Sequence, residues 1–413
     1  MAATVVLLGT LDTKGPEYAY LRDQIAESGC EVVMVNAGVL GDPAYPVEFG
    51  REEVAAAVGA DLAALVEAAD RGAAVTAMAA GAAVLVRRLF DEGRLHGILG
   101  AAGSGGTAII STAMRSLPVG VPKMLVSTLG ASDTRPFVGT TDIAMMYSVV
   151  DIAGINPISA EILGNAAAGI AAMAVFHAGR EAPVGGRPLV GATMYGATTA
   201  CVDHARRRLE EAGYEVLVFH ATGTGGRSME ALMASGHITA CLDVTTAEVL
   251  DEVAGGVFTA GPDRLEMAGR LGLPQVVTVG AADMIAFSPP ETLPPGWAGR
   301  NLYIHNPFVT LVRSNAEECD RLGRVMAEKL SAATGPLTVF IPLRGTSSYG
   351  VEGGVFHDPE ADRALFDSLR RHLDPSVELV ELDTDINDPA FAEAMAGRLD
   401  EHYRAWLGEP LGN

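Results

Sequence analysis

The chain has 413 residues, 49% hydrophobic and 19% charged, which exceeds one ordinary core, suits two domains and excludes disorder. With 29 Lys+Arg against 51 Asp+Glu, the formal net charge is −22, so a nucleic-acid backbone or an anionic membrane is not the expected partner. A small anionic ligand stays open, because backbone amides at helix N-termini hold phosphate without a basic surface.

The chain opens on a βαβ pattern: a buried strand over 5–9, a turn over 10–15, a helix over about 17–28 stopped by Gly29, and a strand over 31–36. The N-terminus has no basic leader region and runs directly into that strand. An acidic helical insertion over roughly 42–85 follows. A strand over 96–99 then leads into a glycine-rich loop and an apolar helix from Ala108. A buried strand near 123–127 ends in a long polar loop over 127–142, and Met145, Met146 and Tyr147 are expected in a core or between subunits. The alanine-rich run 164–179 contains His177 and is too short for a membrane span, so it is expected to be a buried helix.

A Gly/Pro-rich seam over 179–188 precedes a second half that repeats the first. ESGCEVVMVNAG is echoed by EAGYEVLVFHATG, FDEGRLHGILG by LMASGHITACLD, and VGVPKMLVST by LGLPQVVTVG, in the same order. The second half adds strands near 302–305, 337–342 and 377–382, with amphipathic helices over 316–333 and 358–373. The expected fold is α/β, two Rossmann-like parallel-sheet subdomains related by internal duplication, over 1–182 and 183–413. Four scattered cysteines without a C-x-x-C pair point to small core residues and a reducing, cytoplasmic setting.

Ligands of parallel sheets bind in the loops that follow the strands. The first such loop offers Gly9, Thr10, Asp12, Thr13 and Lys14, with helix capping by Asp12 or Thr13 as the alternative reading. The second, Gly103, Ser104, Gly105, Gly106 and Thr107, lets backbone N–H groups converge at a helix N-terminus. It is neither a Walker A loop nor G-x-G-x-x-G. The third, His220, Gly223, Thr224, Gly225, Gly226 and Arg227, shares G-[ST]-G-G and adds an arginine fork for a second anionic ligand; the plainer reading is a turn with Arg227 in a surface ion pair. Asp12 and Asp142 are candidate Mg2+ ligands, with helix capping as the alternative. His305, Arg344, His357 and Asp142 are acid/base or anion candidates, and Asp358 with Pro359 reads as a helix start.

GTLDTKG, GSGGT, VGTTDIAMMYSVVDIAGIN, HATGTGGRSME and IHNPFVTLVRS together resemble one family over essentially the whole chain. It is the ATP-binding domain family related to the tomato mosaic virus resistance protein, an inhibitor of tobamovirus RNA replication, whose bacterial members are mostly uncharacterised. The resemblance implies two Rossmann-like subdomains, a homodimer, and an ATP site in the N-terminal part built from Gly9, Thr10, Asp12, Thr13, Lys14 and the loop from Gly103 to Thr107. Pro16 and Ala102 depart from the acidic and glycine residues expected there.

One function is expected first, with two alternatives. The first is an ATP-dependent, ligase- or kinase-like enzyme acting with Mg2+ on a small anionic metabolite in an interdomain cleft. The second is a nucleotide-binding regulatory or interaction module without turnover. The third is a sugar-phosphate isomerase or lyase that uses the same loops without ATP.

Overall fold

The computed structural model describes residues 2–180, 186–297 and 299–408. The chain divides into two compact units, Met1–Val184 and Gly185–Asn413. Residues 181–185 of the expected seam, and with them the expected domain boundary, lie outside the described residues.

Unit 1 runs β1 (Thr4–Gly9), α1 (Leu11–Glu27), β2 (Glu31–Asn36), α2 (Arg51–Ala56), α3 (Leu62–Ala68), α4 (Arg71–Asp91), β3 (Gly97–Ala102), α5 (Ser104–Arg115), β4 (Lys123–Ser127), α6 (Arg135–Val138), β5 (Ala144–Tyr147) and α7 (Pro157–Ala178). The strands form one parallel sheet in the order β2-β1-β3-β4-β5. Period-two alternation sorts β1 between two cores. Val6 and Leu8 pack with Met78 and Leu85 of α4 and Ile110 of α5. Val5 and Leu7 face Leu21 and Ile25 of α1 and Ile170 of α7. Helices cover both faces, so β1 and β3 read as continuous apolar runs. By length and composition α4 and α7 are each apolar enough to cross a membrane, yet each buries one face in these cores.

Three local expectations change. The turn expected over 10–15 is already helical from Leu11, with non-helical backbone at Lys14. Pro16 cannot donate to the carbonyl one turn back, so the helix breaks there and restarts. The polar loop 127–142 contains α6, and β5 is a short, partly exposed edge strand whose four residues were too few to show a period.

Unit 2 runs β6 (Leu189–Met194), α8 (Thr199–Glu211), β7 (Glu215–His220), α9 (Thr224–Ala234), β8 (Ala240–Thr245), α10 (Ala247–Ala254), α11 (Met267–Arg270), β9 (Gln275–Gly280), β10 (Met284–Phe287), β11 (Leu302–Asn306), β12 (Val309–Arg313), α12 (Ala316–Ser331), β13 (Leu337–Pro342), α13 (Pro359–His372), β14 (Glu378–Leu382) and α14 (Pro389–Leu407). Its parallel sheet has the order β7-β6-β8-β9-β13-β14. The stretch β7-β6-β8-β9 repeats β2-β1-β3-β4, and the echoed sequence segments fall on equivalent strands. The strand near 302–305 does not extend this sheet. It joins a separate antiparallel sheet, β10-β12-β11. The four cysteines are free and buried.

Candidate functional site

The order β2-β1-β3 creates a switch point in unit 1. The chain leaves β1 towards one edge of the sheet and β3 towards the other, so the loops after these two strands diverge and leave a crevice. A cavity of about 690 Å³ occupies this place. Thr10, Asp12, Thr13 and Lys14 line it from β1, and Gly103, Ser104, Gly105 and Gly106 from β3. Leu65, Val66, Val75 and Met78 of the insertion, with Ile109 of α5, make an apolar wall.

The polar end is the start of α5. Gly103 is extended (φ −76°, ψ −169°) and has no side chain with which to cap the helix. The first intrahelical-type bond is Thr107 N–H to the Gly103 carbonyl at 2.9 Å. The N–H groups of Ser104, Gly105 and Gly106 precede it and have no acceptor one turn back. They form a concentrated donor patch with the positive end of the helix dipole behind it.

Asp12 does not cap α1. Its Oδ2 accepts the Leu40 N–H at 2.9 Å, while Oδ1 is buried without a hydrogen-bond partner. Gly38 permits this: a Cβ there would lie 2.3 Å from the Asp12 carboxyl. The Thr10 and Thr13 hydroxyls lie 3.2 Å apart. Lys14 lines the cavity, while its ammonium donates to the Ile152 carbonyl.

Two expected cofactor residues lie beneath the cavity. A Cβ on Gly9 would fall 1.9 Å from the Tyr18 hydroxyl. That hydroxyl donates to the Leu8 carbonyl at 2.6 Å and accepts the Ala101 N–H at 2.9 Å, tying β1 to β3. Burial pushes this phenol well above its ordinary range, so it stays a neutral tie. Thr107 is fully buried and shares a 2.7 Å hydrogen bond with Ser127. Gly9 and Thr107 therefore build the floor rather than face a ligand.

Asp142 is corrected as a metal ligand and as a catalytic candidate. Its carboxylate takes the buried Lys123 ammonium at 2.7 Å and the Gly120 N–H at 2.7 Å. Lys123 opens β4 and Asp142 precedes β5, so Asp142 sits at the amino-terminal edge of the sheet, opposite the crevice that holds Asp12. Burial draws the Lys123 pKa down, and Asp142 partly restores it. The reason for the pairing is structural: an ammonium held at zero exposure needs a countercharge. Among the described residues, no group of three or more His, Cys, Asp or Glu side chains could hold a metal.

The third loop of the sequence reading is also corrected. It follows β7, the edge strand equivalent to β2, so it is not the counterpart of the Gly103 loop. The N-terminus of α9 is already filled by a carboxylate of the protein itself. Glu248, fully buried on α10, accepts the N–H groups of Gly223 at 2.8 Å and Gly226 at 3.1 Å. Its other oxygen takes Arg264 Nε at 2.8 Å, and the Arg264 fork closes on Asp243 at 2.5 and 2.7 Å. Burial raises the carboxyl of Glu230 beside this network.

The glycines of that loop serve packing. A Cβ on Gly226 would meet Glu248 Oε2 at 1.9 Å, and one on Gly225 the His220 carbonyl at 1.9 Å. Gly223 adopts φ +90°, which favours glycine. His220, Thr224 and Arg227 are exposed, and His220 lies against the Tyr195 ring. The surface ion pair considered for Arg227 is not among the described contacts.

The catalytic candidates of unit 2 do not assemble either. Arg344 is exposed and spends its fork on Asp383 at 2.8 and 2.5 Å. His305 is exposed on the antiparallel sheet beside Tyr303, with no carboxylate partner among the described residues. His357 contacts the Gly350 carbonyl, and Asp358 caps α13.

Sequence reasoning missed Arg71, Gly38 and the Glu248–Arg264–Asp243 network. The Asp70 side chain caps the start of α4 in the structure. The approach of that helix start to α5 is a tertiary fact without a sequence signal.

The N-terminal domain model of the uncharacterised protein family UPF0261 matches residues 3–179, and its C-terminal domain model matches residues 187–403. A UPF0261 protein of Clostridium tetani is 48% identical over 400 residues, covering 97% of this chain and 98% of that protein. The tomato ToMV resistance protein Tm-1(GCR237) is 41% identical over 310 residues, 74% of this chain but 41% of the tomato protein. Among solved structures, the glycosyltransferase SnogD from Streptomyces nogalater is 12% identical over 96% of this chain and 100% of that one. Its TM-score of 0.22 is too low to carry an argument. With a family domain matched in each half and near full-length relatives at this identity, the chain belongs to the uncharacterised protein family UPF0261.

Proposed function

We propose that unit 1 binds a nucleoside polyphosphate, ATP with Mg2+ in the first instance, in the crevice between β1 and β3. One observation carries the reading: the cavity joins an apolar wall to the free amides of α5. That polarity suits a ligand with a flat apolar base at one end and phosphates at the other. The family resemblance supports the same ligand. Asp12 fits a Mg2+ that is held chiefly by water and phosphate, because its Oδ1 has no protein partner. When bound, Mg2+ would supply charge neutralisation to the phosphates.

The favoured activity is nucleotide binding. Asp142 belongs to the opposite edge of unit 1, and Arg344 is committed to Asp383. The homodimer and cytoplasmic setting stay with this reading as consequences of the resemblance and the composition.

Isothermal titration of ATP with Mg2+ tests it. One nucleotide per chain is expected, and Gly105→Val, which puts a side chain among the donor amides, should weaken it at least tenfold in a folded protein. Absence of binding, or unchanged affinity in a folded Gly105→Val chain, would overturn the assignment.

A further inference from the structure

Unit 2 has a switch point of its own. The chain leaves β6 for β7 and β8 for β9, so the loops after β6 and β8 diverge near the middle of the sheet. Tyr195, directly after β6, packs with Ala247 and Ala281 from the ends of β8 and β9, and Tyr303 of β11 and Tyr349 of the loop after β13 pack against them. The Tyr303 and Tyr349 rings lie 5.0 Å apart, and Phe356 stands edge-on to both. The imidazoles of His220 and His305 adjoin Tyr195 and Tyr303.

The hydroxyls set this cluster apart. Of the nine tyrosines, Tyr18, Tyr20, Tyr45, Tyr214 and Tyr403 each hydrogen-bond through the hydroxyl to another part of the fold, and Tyr147 is exposed. The remaining three are Tyr195, Tyr303 and Tyr349. The Tyr303 and Tyr349 hydroxyls adjoin each other, a pairing that satisfies one donor and leaves the second free. The Tyr195 hydroxyl has no partner among the described residues although the residue is buried, where a phenol ordinarily finds one. Ala281 adds strain: it is fully buried at φ +55°, and its N–H donates to the Thr346 carbonyl at 2.8 Å, which ties the end of β9 to the loop carrying Tyr349. The surrounding charges disfavour an anion. Asp251 stands near Tyr195, Arg313 closes on Asp362, and Arg344 on Asp383. Burial raises the Tyr195 and Tyr349 phenols, so the cluster offers neutral O–H donors beside apolar ring faces.

We propose that unit 2 binds an uncharged, hydroxyl-bearing ring of the monosaccharide class on the cluster of Tyr195, Tyr303 and Tyr349. The C–H faces of such a ring lie against the aromatic rings, and its hydroxyls take the free phenol donors, the pairing of apolar walls with a few placed polar groups that small-molecule sites use. The assignment goes beyond the nucleotide site of unit 1 and does not depend on it.

Saturation-transfer NMR on the full chain with glucose, galactose, mannose, xylose and ribose, beside gluconate and glucose 6-phosphate as charged counterparts, tests it. At least one neutral sugar is expected to bind and the charged pair to bind more weakly. Tyr195→Phe and Tyr303→Phe should each weaken the sugar about three- to tenfold and leave ATP affinity unchanged. Because the Tyr195 hydroxyl has no partner in the fold, Tyr195→Phe should keep the wild-type unfolding midpoint, whereas Tyr214→Phe, which loses the 2.7 Å bond to Asp400, should lower it. No binding of any neutral sugar, tighter binding of the charged pair, or sugar affinity unchanged in both variants would overturn the proposal. A midpoint lowered in Tyr195→Phe as far as in Tyr214→Phe would overturn it as well, by giving that hydroxyl a structural role.

Discussion

The helix starts of α5 and α9 carry nearly the same residues, Gly-Ser-Gly-Gly and Gly-Thr-Gly-Gly, and end differently. At α5 the first amides open into a cavity. At α9 the amides of Gly223 and Gly226 are taken by Glu248, itself tied to Arg264. The lesson is physical. A glycine-rich helix start creates demand for an anion, and the protein can meet that demand internally or leave it for a ligand. Which of the two occurs depends on whether a carboxylate distant in sequence folds onto the helix.

The largest expected effect tests the internal solution. Glu248→Ala leaves Arg264 short of a partner and the α9 amides orphaned, and should destabilise unit 2 by about 3–5 kcal/mol. Both tryptophans, Trp297 and Trp406, lie in unit 2, so their fluorescence during denaturant unfolding reads this unit. An unshifted midpoint would mean that the network contributes nothing.

The next contrast is between two carboxylates of unit 1. Asp142→Ala strands the buried Lys123 and should cost roughly 1.5–3 kcal/mol by circular dichroism, with ATP affinity retained. Asp12→Ala should do the reverse and weaken Mg-dependent ATP binding more than stability. Equal behaviour of the two variants would erase the distinction between scaffold and site.

Glycines sharpen the comparison at smaller scale. Gly226→Ala forces a Cβ into Glu248 and Arg264, an overpacking cost of about 1–3 kcal/mol. Gly105→Ala meets only the mobile end of Arg71 and should change stability by less than about 1 kcal/mol. Chemical denaturation of both variants checks the order, and a larger loss at Gly105 would invert the account.

The division between what sequence did and did not reveal follows the same line. Alternating apolar runs and terminating glycines made β1, β2, β3 and the duplication legible, because burial on a two-sided sheet imposes them locally. The loops after β1 and β3 were legible too, since strand ends next to helix starts are local features. Glu248 reaching Gly223 across 25 positions, or Arg71 reaching Gly105, has no local signature. For that reason His220, Gly223, Thr224, Gly225, Gly226 and Arg227 resembled a second ligand loop. Asp142 misled for a related reason: its chemistry suits a metal, but its place before β5 puts it at the wrong edge.

The smallest expected effect is a pH slope. Asp251, on α10 with Glu248, accepts the Phe258 and Ala286 N–H groups, and burial pushes its carboxyl up to about 7, with Glu248 adding. In the unfolded chain it titrates near 3.9. The folded state therefore holds a proton that the unfolded chain has released, and this contribution is present below about pH 4 and lost as pH rises through about 7. Tryptophan-detected unfolding midpoints of unit 2 should fall between pH 5 and 8, and Asp251→Asn should flatten the slope. An identical slope in the variant would assign it to other groups.

The central claim is that α5, and not α9, receives the external anion. Hydrogen–deuterium exchange with and without ATP and Mg2+ tests it most directly. The account predicts slowed exchange over 10–14 and 103–107 and no change over 223–228. Protection over 223–228 with none over 103–107 would contradict it.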